Sequence, residues 1–132
     1  MGIDEKLSIL TELIGFAKSD GKIKDVEYNF LLSIAQQIGV NKDTFDKLFK
    51  NPAPKVVLPS ESQRIVQFHR LLLLMNVDQV IEDEELEKIH QLGLKMGLNI
   101  QAIDKTLDVM PQYKNNIVPP NVLLDIFKTY YN

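Results

Sequence analysis

The residues best suited to chemistry lie in two acidic stretches, each between two predicted helices. In the first stretch, Asp20 is followed directly by Gly21 and, seven residues after the acid, by Glu27. This order matches the second half of a calcium-binding EF-hand loop, where an acid, a turn glycine and a final glutamate recur. The two earlier ligand positions fall on Phe16 and Lys18, which supply no carboxylate. The favoured interpretation is therefore a helix–helix corner, with Glu27 near a helix N-terminus, where the helix dipole stabilises a carboxylate.

The second stretch is a dense acidic run. Acids are common in the first turn of a helix, so one interpretation is a solvated helix start. The alternative is a weak site for a divalent cation, calcium or magnesium, or for a basic partner, because hard cations prefer clustered oxygens. The run places six carboxylates within ten residues: Asp78, Glu82, Asp83, Glu84, Glu85 and Glu87.

The sequence contains no recognised catalytic motif. The chain has 0 cysteines, which excludes disulfides, thiol nucleophiles and thiolate metal sites. His69 and His90 belong to no metal-binding motif, and we expect His69 to be a core or boundary residue. No serine lies in a nucleophile elbow, and no glycine-rich phosphate loop is present. We therefore predict that the protein is not an enzyme and holds no catalytic residues.

Composition favours a soluble, cytoplasmic protein with one domain over residues 1–132. The chain is 45% hydrophobic and 25% charged with a net charge of -3, and it lacks the basic clusters typical of nucleic-acid binding. The longest apolar run, Leu71–Met75, is far shorter than the roughly 20 residues that span a bilayer, so no direct membrane insertion is predicted. The acidic N-terminus lacks the order of a secretion signal.

Apolar spacing predicts an all-α fold of about seven helices, because the apolar residues recur at intervals of three and four and no long stretch alternates. Asp4 is the expected N-cap of the first helix, and Gly39 the expected stop of the second. Ser60 and Gln63 form a capping box that opens the helix carrying Leu71–Met75. That helix should be central and buried, with at least one of its four leucines partly exposed, because consecutive residues advance around the helix.

An internal repeat organises these elements. At an offset of 58, residues 13–49 align without gaps on residues 71–107, and the identities concentrate at the predicted junctions between helices. We expect a compact helical bundle of two pseudo-symmetric helix–corner–helix repeats, about 4–50 and about 60–110. A proline-rich linker at 51–59 joins them, and a C-terminal helix follows at about 120–131. The nine identities are Leu13/Leu71, Asp20/Asp78, Ile23/Ile81, Asp25/Asp83, Glu27/Glu85, Gly39/Gly97, Asn41/Asn99, Asp46/Asp104 and Lys47/Lys105.

The corner residues resemble the TerB-like family, named for a bacterial tellurite-resistance protein. The family pattern, a helix followed by Ala-x-x-Asp-Gly-x-Ile-x-x-x-Glu and a second helix that ends in Gly, is matched from Ala17 to Glu27 and at Gly39. A related motif follows from Asp78 to Gly97, with Gln79 in place of the turn glycine. The resemblance covers roughly residues 5–108.

The resemblance implies a compact helical domain that takes part in stress responses such as tellurite resistance, without catalysis. It implies protein binding through an acidic face, with a membrane-associated stress-response complex as one such partner, and no bound cofactor beyond an optional divalent cation. The positions that match the family's acidic residues are Asp20, Glu27, Asp78 and Glu85, and these are the predicted metal ligands. The alternative function is weak divalent metal binding or sensing by the same four carboxylates. The sequence leaves the oligomeric state and the identity of the ion open.

Overall fold

The protein is all-α in the computed structural model, which describes residues 1–19, 21–78 and 80–131. Two short 3₁₀ turns, Met110–Gln112 and Lys114–Asn116, precede the last helix, and the described residues contain no strand. The predicted all-α class is thereby confirmed. The α-helices are α1 (Ile3–Lys18), α2 (Asp25–Gln37), α3 (Lys42–Lys47), α4 (Glu61–Asn76), α5 (Asp83–Lys95), α6 (Ile100–Val109) and α7 (Pro120–Thr129).

Local capping residues explain where most helices begin. The Ser60 hydroxyl accepts a hydrogen bond from the Gln63 N–H at 3.1 Å, and the Gln63 side chain accepts one from the Ser60 N–H at 3.2 Å, which confirms the predicted capping box. The predicted N-cap at Asp4 is wrong, because α1 begins at Ile3 after Gly2. Asp4 lies instead in the first turn, where its negative charge still interacts favourably with the positive end of the helix dipole.

Glycines end the second helix of each repeat, as predicted. Gly39 and Gly97 have φ angles of 86° and 78°, in the left-handed region that glycine adopts without a steric penalty. The next residue donates its N–H to the carbonyl five positions back, at 2.8 Å for Val40 and 3.1 Å for Leu98. Both of these residues are buried, so each chain reversal is fixed by a main-chain hydrogen bond and an apolar contact.

Helix bounds in the two aligned stretches correspond closely. Both ends of α4 lie 58 positions after those of α1, and both ends of α5 lie 58 positions after those of α2. The starts of α3 and α6 have the same offset, and each is capped by an asparagine side chain, Asn41 or Asn99. Only the end of the third helix differs, because α6 continues to Val109.

The chain forms two compact units, Met1–Leu58 and Pro59–Asn132. The first contains α1 to α3 and the second α4 to α7, and each has fully buried large side chains of its own. In α4, Leu71, Leu72, Leu74 and Met75 are buried, whereas Leu73 is partly exposed, which confirms the expected burial of this run. Among the described residues, the largest fully buried side chains are Leu10, Leu13, Leu31 and Phe45 in the first unit, and Phe68, Leu71, Leu74, Met75, Ile89, Ile103, Leu123 and Phe127 in the second.

In the first unit, the proline-rich segment predicted as a linker lies against α1. The hydroxyl oxygens of Ser8 and Thr11 accept hydrogen bonds from the N–H groups of Val56 at 2.9 Å and Ala53 at 3.0 Å. Leu58, at the end of this segment, is buried. We call residues 51–58 the first return segment, because side chains of α1 hold it as it runs back along that helix.

In the second unit, a corresponding segment lies against α4. The Nε2 atom of His69 is 2.9 Å from the Val118 carbonyl, and the Asn76 Nδ2 atom donates to the Asn116 carbonyl at 3.0 Å. His69 lies 58 positions after Thr11. The equivalent helix position therefore contacts the segment that runs back along the helix in both units, through a hydroxyl in the first and an imidazole in the second. We call residues 113–118 the second return segment.

No helix in the described part of the chain combines the length and apolar character that crossing a membrane requires.

Candidate functional site at two acidic corners

The first corner joins α1 to α2 through a turn at Gly21. The Gly21 N–H donates to the Lys18 carbonyl at 2.9 Å, and Gly21 has a φ angle of 107°. Other residues are strained at this φ, so a substitution here would disturb the turn even though open space surrounds the missing side chain. Asp20, the predicted metal ligand beside it, lies outside the described residues.

Glu27, the second predicted ligand of this corner, lies in the first turn of α2. Its carboxylate accepts a hydrogen bond from the Lys24 N–H at 3.0 Å, and the residue is only 6% exposed. A buried carboxylate needs such partners, because desolvation disfavours its charge. The placement agrees with the helix-corner interpretation: Glu27 satisfies a main-chain donor at the helix start and faces the positive end of the helix dipole.

The second corner repeats this arrangement between α4 and α5. Glu85 accepts a hydrogen bond from the Glu82 N–H at 3.3 Å, in the same relation as Glu27 to Lys24. Asp78 accepts one from the Val80 N–H at 3.1 Å and so stabilises the turn after α4. Each of these two predicted ligands therefore has one carboxylate oxygen engaged with the main chain.

Most of the acidic run itself is exposed. Glu82, Asp83, Glu84 and Glu87 are exposed, and Glu85 is half-buried. None of Asp83, Glu84 and Glu87 forms an ion pair with another described residue. Their side chains are thus available to solvent on the first turns of α5.

The net negative charge of the protein belongs to this second unit. Residues 1–58 contain eight basic and eight acidic side chains, whereas residues 59–132 contain seven basic and ten acidic ones. Five of those ten acids lie between positions 82 and 87. The acidic face is consequently a local feature of the start of α5.

A metal centre is not assembled by the residues that the structure describes. Among residues 1–19, 21–78 and 80–131, no three histidine, cysteine, aspartate or glutamate side chains form a group that could hold an ion. The predicted set of Asp20, Glu27, Asp78 and Glu85 includes one residue outside these ranges, and its two pairs belong to different units. This four-residue site therefore stays a prediction.

Both histidines have structural partners. His69 is half-buried and bonded to the Val118 carbonyl, as expected for a boundary residue. His90 on α5 lies 2.9 Å from a carboxylate oxygen of Asp104 on α6 and connects these two helices.

Sequence reasoning missed a polar cluster between α2 and α3. The Tyr28 hydroxyl donates to Asp46 at 2.5 Å, and the Lys42 ammonium donates to the other oxygen of the same carboxylate at 2.7 Å. Lys42 and, secondarily, Tyr28 lower the pKa of Asp46, while the hydrogen bond to Asp46 raises the pKa of Tyr28. The Tyr28 ring also lies 5.5 Å from that of Phe45 and 5.8 Å from that of Phe49.

The repeat could have revealed this cluster. Asp46 and Asp104 are one of its nine identities, and each carboxylate on the third helix contacts a side chain of the second helix, Tyr28 or His90. Their shared role is to connect two helices across a tight turn. These contacts give the identity at this position a structural explanation.

Comparison of the chain with protein-family models, curated proteins and solved structures gives no match.

Proposed function

We propose that this protein is a non-catalytic binding module of TerB-like architecture, which contacts a protein partner through the exposed carboxylates at the start of α5. The supporting observation is that Asp83, Glu84 and Glu87 are exposed without an ion-pair partner among the described residues, in the unit that carries the net charge. Charges arranged in this way favour encounter with a basic surface and exclude acidic ones.

The architecture proposed is a pair of TerB-like helix–corner–helix repeats, one in each unit. The corresponding bounds of α1 and α4, and of α2 and α5, support it. The glycine at the end of the second helix and the asparagine cap of the third, present in both halves, also support the repeat. Unrelated helices would not be expected to share all of these junctions. By the resemblance of the corner residues, we place the module in a cytoplasmic stress response such as tellurite resistance.

A charge-neutralised variant tests the binding role. The combined change Asp83→Asn, Glu84→Gln and Glu87→Gln removes three charges and retains Glu85, which caps α5. The wild-type chain first serves as bait to capture a partner protein from a lysate of the source cells. Calorimetry then compares the affinity of that protein for the wild type and for the variant. We expect the variant to bind about tenfold more weakly, because each exposed charge contributes up to about 1 kcal/mol.

The matched control removes the same number of negative charges at positions away from the start of α5. Asp43→Asn, Asp108→Asn and Asp125→Asn also neutralise three exposed carboxylates. The control should bind as the wild type does, and the difference between the two variants should shrink at high salt. Equal affinity of the two variants for the captured protein would exclude the start of α5 as the binding face.

The second candidate function is weak divalent metal binding at the corners. The observation that favours it is the burial of Glu27, six residues after Gly21 in the sequence, because a bound cation would offset the cost of burying a charged carboxylate. The predicted ligands for calcium or magnesium are Asp20 and Glu27 in the first corner, and Asp78 and Glu85 in the second. Since the earlier EF-hand ligands are missing, we expect an affinity no tighter than roughly micromolar.

Titration with calcium and with magnesium, followed by NMR shifts and thermal unfolding, tests this candidate. A site with a millimolar Kd would stabilise the fold by ~2 kcal/mol at tens of millimolar ion. Sodium at equal ionic strength should give no such shift, and Asp20→Asn with Glu27→Gln should abolish it. The glutamine retains an oxygen that can accept from the Lys24 N–H, so the cap of α2 is preserved. If sodium gives a thermal shift of the same size, the stabilisation is due to ionic screening and not to a divalent cation site.

A further inference from the structure

We draw no further inference here: the strongest candidate, the buried side-chain amide of Asn76 at the end of α4, whose Oδ1 atom has no hydrogen-bond partner among the described residues, carries nothing, because its Nδ2 atom already holds the second return segment and nothing in the structure shows a ligand beside the oxygen.

Discussion

Replacing Gly93 by alanine tests how closely α5 approaches its neighbours. A Cβ atom built at Gly93 would lie 2.7 Å from Cδ1 of Ile103 on α6 and 3.1 Å from Cε1 of Phe68 on α4. Both neighbours are fully buried, so neither side chain can turn toward solvent to make room. The additional methyl group must therefore displace packed atoms in the core of the second unit.

Two opposing effects set the magnitude of this change. Alanine is favoured over glycine inside a helix by about 0.8–1.0 kcal/mol. Overpacking a core by one methyl group costs about 1–3 kcal/mol, and the contact at 2.7 Å places Gly93 well within that range. We expect a net loss of about 1 kcal/mol in the free energy of unfolding, because a packing cost of about 2 kcal/mol exceeds the gain in helix propensity; Tm should fall by a few degrees.

Gly15 provides a matched control within α1. It is exposed, and no atom lies within 4 Å of an added Cβ. Gly15→Ala should therefore stabilise the protein by about 0.8–1.0 kcal/mol, since only the helix propensity changes. The two variants, compared by chemical denaturation, should shift stability in opposite directions. If Gly93→Ala stabilises as much as Gly15→Ala does, the close packing of α5 against α4 and α6 is refuted.

A compensating substitution separates the clash from other causes. Ile103→Val removes Cδ1, the atom that an added Cβ at Gly93 would meet first, at a cost of about 0.5–1.5 kcal/mol by itself. In the double variant, the new methyl group occupies part of the space released, so the two losses should be less than additive by at least about 0.5 kcal/mol. Strict additivity would mean that the contact does not limit the packing.

Two further predictions follow from burial and from charge. Leu74→Ala should lower the free energy of unfolding by about 2–5 kcal/mol and Leu73→Ala by clearly less, because only Leu74 is fully buried; equal losses by chemical denaturation would contradict the orientation of α4. In an NMR titration, Asp46 should titrate below its ordinary value of 3.8 and return toward it in Lys42→Met, since the bond to the Lys42 ammonium is the main cause of the lowered pKa. The resulting contribution to stability is present above the unfolded pKa and is lost as the pH falls through the folded one, so a normal or raised pKa of Asp46 would refute this pairing.

Junction residues made much of the helical architecture predictable. Gly39 and Gly97 mark helix ends because a left-handed backbone conformation is least costly for glycine, and Asn41 and Asn99 mark starts because a short side chain can reach the first free N–H groups. These effects act within a few residues of the chain, so they can be inferred without knowing the fold.

The remaining features depend on contacts between distant residues. Nothing local distinguishes Gly93 from a tolerated helix glycine such as Gly15, because its requirement arises from Ile103 and Phe68 on other helices. The role of Asp46 as a connection to Tyr28 likewise depends on the angle at which α2 and α3 meet. The candidate site was predictable only in part, because the sequence identifies the acids but not which of them are used as helix caps.

The two return segments differ in how their main-chain amides exchange hydrogen with solvent. The amides of Ala53 and Val56 are bonded to side chains of α1, so their exchange requires separation of that segment from the helix. In the second return segment, the Asn116 and Ile117 amides are bonded within their own turns, and α4 holds carbonyl groups instead. Slow exchange at positions 53 and 56 thus reports on tertiary structure in the first unit, whereas exchange at 116 and 117 reports on the opening of a local turn.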